Sequence, residues 1–459
     1  MRWAGPRLRR LKWRGAVLGV ALACATAGEL RAQAGRACTL RLQADSSLSV
    51  GEGRQPEAYV HYARDNVVTK CGDARITADS AVYFERLGRV EMIGDVHYRD
   101  TTRVLDAAKL TFFEREDRVL TQGSVVLTRL RSGSVLSGPR VEFFRTMKAG
   151  ADRTLATSRP HMTLPTGPPG GRGEPFEIDA DVVEIQGEDR AVARGDVEIE
   201  RTDLSANSDS ARFDMGAGEG WLFGSPIVES RKIRLSGDSV RARVEEGDLR
   251  EIEAMGRSTA VGARFDLISE RIRARVGEER VEALWAFGEG RAVAHSGRHT
   301  VAGDSVVFAF ARGELDSLVA VGDARAVRTP SAGAEADSVR TPEPPIETGD
   351  EDGWLVGDTV VARFRPAGEA ASDEEGEAEL EILRAVGQAR SYFASIDSTE
   401  AGGPTVNYLI GRSIEVRFRD GEASEIRGED AIGVYRGAGE DGPAPGSRSN
   451  ADGRPETTP

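Results

Sequence analysis

The chain has 459 residues, of which 75 are acidic and 61 are basic, and its formal net charge is −14. An acidic chain repels phosphate backbones, which argues against nucleic acid as a partner. Beyond residue 34 no apolar run approaches the ~20 residues of a membrane-spanning helix, so we expect a soluble mature protein.

The N-terminus has the pattern of a secretory signal peptide. A basic stretch over residues 7–14 precedes the apolar segment Ala16–Ala23, and Ala32-Gln33-Ala34 resembles a cleavage site. We therefore predict that residues 1–34 are removed on export to the periplasm. Acylation at Cys24, which would give an outer-membrane-associated lipoprotein, is the alternative, although the residues before Cys24 depart from a lipobox.

The mature chain is more acidic than the precursor and keeps two cysteines. Residues 1–34 hold seven basic side chains and one acidic side chain, so the mature net charge is −20. In an oxidising periplasm Cys38 and Cys71 could form a disulfide that joins the N-terminal strands. Two reduced or separately buried thiols remain the alternative.

A degenerate repeat runs along the mature chain. Its clearest copies are Gly237–Val244, Gly303–Phe310 and Gly357–Phe364, each read as a Gly-Asp-Ser/Thr turn followed by a strand. Weaker copies begin at Asp79, Asp106, Gly138, Asp179, Asp209, Ser269 and Gly411. A repeat of this kind predicts a fold that is built from similar β units.

Glycines interrupt many of the apolar runs that follow. Gly94, Gly195, Gly322 and Gly387 each stand inside a strand-like pattern, which predicts a bulge or a bend there. Strict alternation of apolar and charged residues, as in Arg271–Val276, indicates half-buried strands. We find no sustained helical periodicity and predict an essentially all-β protein.

Composition divides the chain into two predicted β-domains. The first domain spans 35–148 and the second spans 177–436, with a Pro/Gly-rich linker over 149–176 between them. Two acidic insertions, at 329–353 and 366–379, read as long loops in the second domain. Residues 437–459 form a predicted disordered tail.

The repeat resembles the OstA-like domain family, named for organic solvent tolerance. The best stretches are Ile76–Phe144 and Ile178–Phe223, and the resemblance covers most of residues 57–436. That family includes a periplasmic bridge and the N-terminal domain of the outer-membrane translocon in lipopolysaccharide transport. The resemblance implies a twisted β-jelly-roll whose sheets open on an apolar groove for lipid acyl chains.

The inward positions of the predicted strands are the candidate lipid-binding residues, because two amphipathic sheets enclose a continuous apolar interior. They are Leu110, Phe112, Val141, Phe143, Phe213, Val240, Ile272, Val306, Phe308, Phe310, Phe364, Ile414, Val416 and Phe418. The alternative is a core that these side chains fill themselves. The sequence leaves both readings open.

The sequence offers no support for catalysis, a cofactor or a metal site. It has no nucleophile elbow, P-loop or dinucleotide fingerprint, and His295 and His299 have metal-like spacing only on a helix. We therefore predict a non-enzymatic, lipid-binding bridge in lipopolysaccharide transport and outer-membrane assembly. Its expected partners are lipopolysaccharide or another multi-acyl lipid, and related jelly-roll proteins joined by strand-edge pairing. A parallel β-helix adhesin or polysaccharide-processing protein, and an envelope scaffold without lipid, are the alternatives.

Overall fold

The part of the chain that the computed structural model describes is almost entirely strand. It comprises residues 41–51, 59–144, 153–167, 173–230, 232–277, 280–311, 313–328, 353–365, 379–395, 405–419 and 422–436. These residues contain one 3-10 helix, Glu85–Leu87, and no helix among them is long and apolar enough to span a membrane. The all-β prediction is confirmed.

Twenty-eight strands follow one another in these residues. The first fourteen are β1 (Arg41–Gln43), β2 (Ser46–Gly51), β3 (Tyr59–Cys71), β4 (Ala74–Phe84), β5 (Arg89–Arg99), β6 (Arg103–Phe113), β7 (Arg118–Arg129), β8 (Val135–Phe144), β9 (Arg153–Thr157), β10 (His161–Leu164), β11 (Phe176–Asp179), β12 (Val182–Gln186), β13 (Arg190–Arg201) and β14 (Leu204–Asp214). The remainder are β15 (Glu219–Phe223), β16 (Ile227–Ser230), β17 (Ile233–Ser236), β18 (Ser239–Glu245), β19 (Asp248–Gly262), β20 (Asp266–Gly277), β21 (Arg280–Ser296), β22 (His299–Ala311), β23 (Glu314–Arg328), β24 (Gly353–Arg365), β25 (Glu379–Ser395), β26 (Thr405–Arg419), β27 (Glu422–Glu429) and β28 (Ile432–Arg436).

The strands form one hydrogen-bonded meander. From β3 to β8 and from β19 to β27 each strand pairs with the next, and every strand pair among the described residues is antiparallel. A parallel β-helix requires parallel ladders between successive coils, so that alternative is wrong for this chain.

Most of the long strands bend in the middle. In β5 the register shifts between Ile93 and Val96, where Gly94 and Asp95 both have positive φ. A bulge of this kind lets a strand turn a corner without leaving the ladder. The same shift occurs at the glycines of β13, β23 and β25, so the bends predicted at Gly195, Gly322 and Gly387 are confirmed.

The Gly-Asp-Ser/Thr motif lies at these bends. We predicted that each copy is a turn that opens a strand, and this prediction is wrong for two of the three clear copies. Gly303 and Gly357 lie inside β22 and β24, where the register shifts. The carboxylate of Asp304 packs against Gly322 in the bulge of the neighbouring strand. The aspartate of the motif therefore contacts a glycine of the neighbouring strand. The sequence of a single strand does not reveal this contact.

The bends fold the meander into two facing layers. In layer A, residues 96–99 of β5 pair with the corresponding halves of the other bent strands, and β10, β11, β16 and β17 belong to the same layer. In layer B, residues 89–93 of β5 pair with the other halves of those strands, and β9, β12, β15 and β18 belong to that layer. Tyr98 of layer A meets Phe143 of layer B edge to face, with ring centroids 5.4 Å apart. Both rings are fully buried, so the core lies between the layers, as in a sandwich of jelly-roll type.

The segment predicted as a linker, 149–176, contains two strands in its described part. β9 joins β8 to β12 in layer B, and β10 joins β8 to β11 in layer A, so both layers continue across the segment. Pro160 and Pro165 flank the short strand β10 and hide its alternating pattern, in which Met162 and Leu164 are buried. The described residues belong to one compact unit, and the division into two OstA-like domains stays a prediction.

Several predicted segments lie outside the described residues. These are the signal peptide 1–34, the tail 437–459, and the acidic insertions apart from Gly353 and Glu379, which begin β24 and β25. Cys71 is disulfide-bonded. Cys38 lies outside the described residues, so its pairing with Cys71 stays a prediction.

Candidate lipid-binding interior

A cavity of about 390 Å³ lies between the two layers, in the region from β10 to β19. Its walls are aliphatic and aromatic. Layer A contributes Leu164, Phe176, Ile199, Leu204, Ala206 and Val228, and layer B contributes Phe213, Leu222, Val240, Ala242, Val244 and Ile252. Such a chamber can accept an apolar ligand at little desolvation cost.

The cavity reaches the surface at the seam, the line along which the turns that end layer A face the turns that end layer B. Arg131, Ser132 and the segment 165–167 border it from layer A. Glu188, Asp189, Asp214, Met215 and Glu219 border it from layer B. The mouth is thus polar, and four of its five ionisable side chains are acidic.

Direct contacts close the seam beside this mouth. On the β7 side, Arg129 Nη2 donates to the carbonyl of Gly187 at 2.6 Å and lies 3.1 Å from Glu188 Oε1. On the β19 side, the backbone of Gly173 approaches Gly247 so closely that a Cβ on Gly173 would lie 2.9 Å from the Gly247 carbonyl oxygen. The cavity is therefore bounded along the seam rather than open over its whole length.

Farther along the chain the interior is filled. Phe265, in a turn of layer A, packs against Phe308 and Phe310 of layer B with centroids 4.8 and 5.8 Å apart. His299 meets Phe418 edge to face at 5.6 Å. These contacts span the two layers, and a small cavity of about 10 Å³ lies beside His299.

The structure places the fourteen predicted lipid-binding residues in different surroundings. Phe213 and Val240 line the main cavity, and Phe364 lines the small one. Ten others are buried in the core: Leu110, Phe112, Val141, Phe143, Ile272, Val306, Phe308, Ile414, Val416 and Phe418. Phe310 is half-buried and packs against that core. Two of the fourteen thus come together around the main cavity.

Most wall residues of the cavity were not among the candidates. One local signal marks the region: Gly216, Gly218 and Gly220 lie within five residues, at the turn before and the start of β15. Gly220 packs beside the ring of Phe213, where a Cβ would lie 3.5 Å away. Missing side chains leave room in a close-packed interior, so a glycine cluster next to short strands could have indicated the cavity.

Two partly buried ionisable groups lie at the rim of layer A. Burial by itself would raise the pKa of Asp100, but hydrogen bonds from Tyr98 and Thr102 outweigh it and hold that pKa below its usual value. Burial, together with the nearby Arg328 and Arg298, lowers the pKa of His299 to about 4. These groups are kept in one charge state at neutral pH, which suits structural roles rather than proton transfer.

The histidines show no metal site. His295 and His299 flank the hairpin turn between β21 and β22, and the register pairs His295 with Thr300. Within the described ranges no group of three or more His, Cys, Asp or Glu side chains could hold a metal ion. The expected absence of a helix at this motif is confirmed.

Comparison with known proteins gives one family. Residues 75–248 match the family model described as LptA/(LptD N-terminal domain) LPS transport protein. This range contains both stretches, Ile76–Phe144 and Ile178–Phe223, on which the resemblance was based. No match is found among curated proteins.

Among solved structures, the chain is similar to LptH, described as the LptA homologous periplasmic component of the conserved lipopolysaccharide transport device from Pseudomonas aeruginosa. The identity is 18% over 24% of this chain and 77% of that one, with a TM-score of 0.20. The similarity to this family rests on the matched residues, not on this likeness. Over residues 75–248, this chain is similar to the LptA and LptD N-terminal domain family of lipopolysaccharide-transport proteins, which confirms the resemblance to OstA-like domains.

Proposed function

We propose that this chain is a periplasmic, non-enzymatic lipid-binding and bridging protein that acts in lipopolysaccharide transport and outer-membrane assembly. The family match supports the transport class. The apolar cavity between the layers is the observation that carries the lipid-binding part. Its walls are aliphatic and aromatic, so we assign it to carriage of acyl chains.

The size and charge of the cavity limit how lipid would bind. A volume of about 390 Å³ is at the lower end of the range for small-molecule sites, which favours one chain, or part of a multi-acyl lipid, inside. Burying a twelve-carbon chain contributes on the order of 9 kcal/mol before ordering costs. Because the mouth is mostly acidic, affinity for an anionic lipid must come from chain burial rather than from headgroup attraction.

Filling the cavity tests this proposal. We expect Ala206→Phe and Ala242→Phe to occupy the chamber, since both alanines line it. Lipids that copurify with the periplasmic protein, measured by mass spectrometry, should fall several-fold in both variants. Ala309→Phe, at a half-buried position that β22 turns away from the core, is the matched control and should leave the lipid content unchanged.

The result can also contradict the proposal. A well-folded native protein that is free of lipid, even after incubation with lipid A, would favour the envelope scaffold. Equal lipid content in all three variants would place the lipid elsewhere on the molecule. A melting curve for each variant separates loss of lipid from loss of fold.

The bridging part rests on the two ends of the meander. β2 pairs only with β3 among the described residues, and its Leu48 and Val50 are 63% and 46% exposed. At the other end β28 pairs with β26, and Ile432 and Val434 are 82% and 66% exposed. Unpaired edges with apolar side chains are templates for adding a strand of another sheet, so we assign them to head-to-tail pairing with related jelly-roll proteins.

A further inference from the structure

The outer face of layer B, opposite the lipid cavity, carries a row of aromatic and charged side chains. The strand register places Trp221, Arg241, Glu253, Arg273 and Trp285 opposite one another in succession, on β15, β18, β19, β20 and β21. Neighbouring strands lie ~4.8 Å apart, so the two tryptophans are separated by roughly 19 Å. Two similar aromatic sites therefore share this face, and they can be compared directly.

The site at Trp285 is a pocket of about 380 Å³. Arg273 lies over the ring of Phe287 at 5.4 Å, and Arg275 lies over the ring of Trp285 at 5.6 Å. Arg250 and Ser305 also line the pocket. Its volume is much larger than an inorganic anion and falls within the range of small organic ligands.

One of the three arginines of this pocket has no carboxylate partner among the described residues. Three arginines line it, Arg250, Arg273 and Arg275, against one carboxylate, Glu251. Arg250 lies 3.0 Å from Asp248, and Arg273 lies 3.8 Å from Glu251 and 3.3 Å from Glu253. Within the part of the chain that the structure describes, Arg275 is exposed and forms no ion pair, its contact being the ring of Trp285. A guanidinium group that lies beside an aromatic ring can still bind a carboxylate through two parallel hydrogen bonds.

The site at Trp221 has the same residue types, but both of its arginines are paired with a carboxylate. Arg241 lies over the Trp221 ring at 5.3 Å, and both Arg241 and Arg243 pair with Glu219. Mutual stabilisation of side chains on a sheet face accounts for that arrangement. Beside Trp285 the same stacking holds Arg275, but none of the described carboxylates pairs with it.

We propose that the Arg250/Arg273/Arg275 pocket around Trp285 and Phe287 is a binding site for an anionic sugar, with the class of uronic acids as ligand. Arg275 binds the carboxylate, and the aromatic rings contact the apolar C–H face of the sugar. Ser305 offers a hydroxyl to the sugar hydroxyl groups. The site lies outside the lipid cavity and does not depend on lipid binding.

The test uses the protein purified from the periplasm, with tryptophan fluorescence and titration calorimetry as readouts. The probes are a galacturonic acid trisaccharide, a neutral galactose trisaccharide and inorganic phosphate. We expect the uronate to bind and the neutral sugar to bind at least roughly tenfold more weakly, since one charge-assisted hydrogen-bond pair is lost. Added salt should weaken the uronate complex because it screens an exposed charge pair.

Two variants and one control locate the site. Arg275→Gln, at an exposed position, should weaken uronate binding by roughly tenfold without affecting the fold. Trp285→Leu should abolish the fluorescence change and weaken binding. Trp221→Leu, at the site whose two arginines pair with Glu219, should leave uronate affinity unchanged.

Three outcomes would overturn the proposal: no uronate binding by the folded protein, equal loss in Trp221→Leu and Trp285→Leu, or no loss in Arg275→Gln. If phosphate binds as tightly as uronate and displaces it, the ligand of this pocket is a phosphate-bearing molecule and not a uronic acid. None of these outcomes bears on the lipid cavity, which the cavity-filling variants test separately.

Discussion

Contacts between an aspartate and a glycine recur at the bends of this molecule. Asp304 packs on Gly322, and Asp358 packs on Gly387 in the same way. Each glycine has a φ near +80°, which a side chain disfavours, and each also lacks space for a Cβ. Two independent requirements thus explain the glycine in this repeat.

Substituting Gly322 tests this contact. Gly322→Ala should lower the free energy of unfolding by more than ~2 kcal/mol, because backbone strain adds to overlap with the Asp304 carboxylate. Gly313→Ala is the matched control: its φ is +84°, but nothing lies within 4 Å, so strain alone acts there. Chemical denaturation measures both. Equal losses at the two positions would show that the carboxylate contact is unimportant, and Asp304→Ala should recover part of the Gly322→Ala loss.

His299 predicts a pH dependence of stability. Burial is the main cause that lowers its pKa from 6.5 to about 4, with Arg328 and Arg298 adding to it. Between these values the unfolded chain binds the proton more readily than the folded chain, so stability falls as the pH drops from 6.5 to about 4. The loss should reach about 3 kcal/mol and be absent above pH 7.

Comparison of variants separates the contribution of His299 to the pH dependence of stability from the contribution of the many carboxylates. Denaturation curves for the native protein and His299→Gln should converge as the pH falls from 6.5 to 4, since glutamine takes up no proton. His97→Gln, at an exposed position on β5, is the control. Parallel curves for the native protein and His299→Gln would contradict the lowered pKa.

At the scale of the elements, the bends in the long strands fold the sheet into two facing layers. Strands β15 to β18 are short and separate, so the two layers are least connected there, and the cavity lies in this stretch. Elsewhere, large rings such as Phe112 and Phe308 fill the interior. The resemblance implies an open apolar groove, whereas the interior of this chain has a bounded chamber within a mostly filled core.

The edge strands give a prediction at this scale. Leu48→Lys with Val50→Lys on β2, or Ile432→Lys with Val434→Lys on β28, should abolish cross-linking to a partner sheet while the melting temperature changes little, since these side chains are exposed. Val261→Lys, an exposed position on an inner strand, is the control. Unchanged cross-linking in both edge variants would rule out strand pairing as the mode of association.

At the scale of the whole molecule, continuity across 149–176 is the main consequence of the fold. β9 and β10 carry both layers from β8 to β13. If 149–176 were a flexible linker, a destabilising substitution on one side of it would leave the stability of the other side unchanged. In a continuous ladder the substitution would destabilise strands on both sides, because each strand is stabilised by pairing with its neighbours.

Met162→Asp distinguishes these cases, since Met162 is 1% exposed on β10 and a buried carboxylate there is unpaired. We expect faster hydrogen exchange both in β7 and β8 and in β13, measured by mass spectrometry. Thr163→Asp, a half-buried neighbour whose hydroxyl contacts Glu177, is a milder control. Unchanged exchange on either side of the segment would support two independent domains.

Sequence by itself determined the all-β class, the repeat and the resemblance to a known family. Alternation with period two is a local property of a half-buried strand, and glycines such as Gly94 mark bends through their own backbone preference. Residues 75–248 carried enough of the repeat to match a family model.

Only the tertiary structure decided which inward residues face a cavity and which fill the core. Phe213 and Phe308 have the same pattern in sequence, yet one lines the chamber and the other is packed against Phe265 from the opposite layer. The difference depends on which side chains meet across the two layers. That is a property of residues far apart in the chain, so periodicity within a strand carries no information about it.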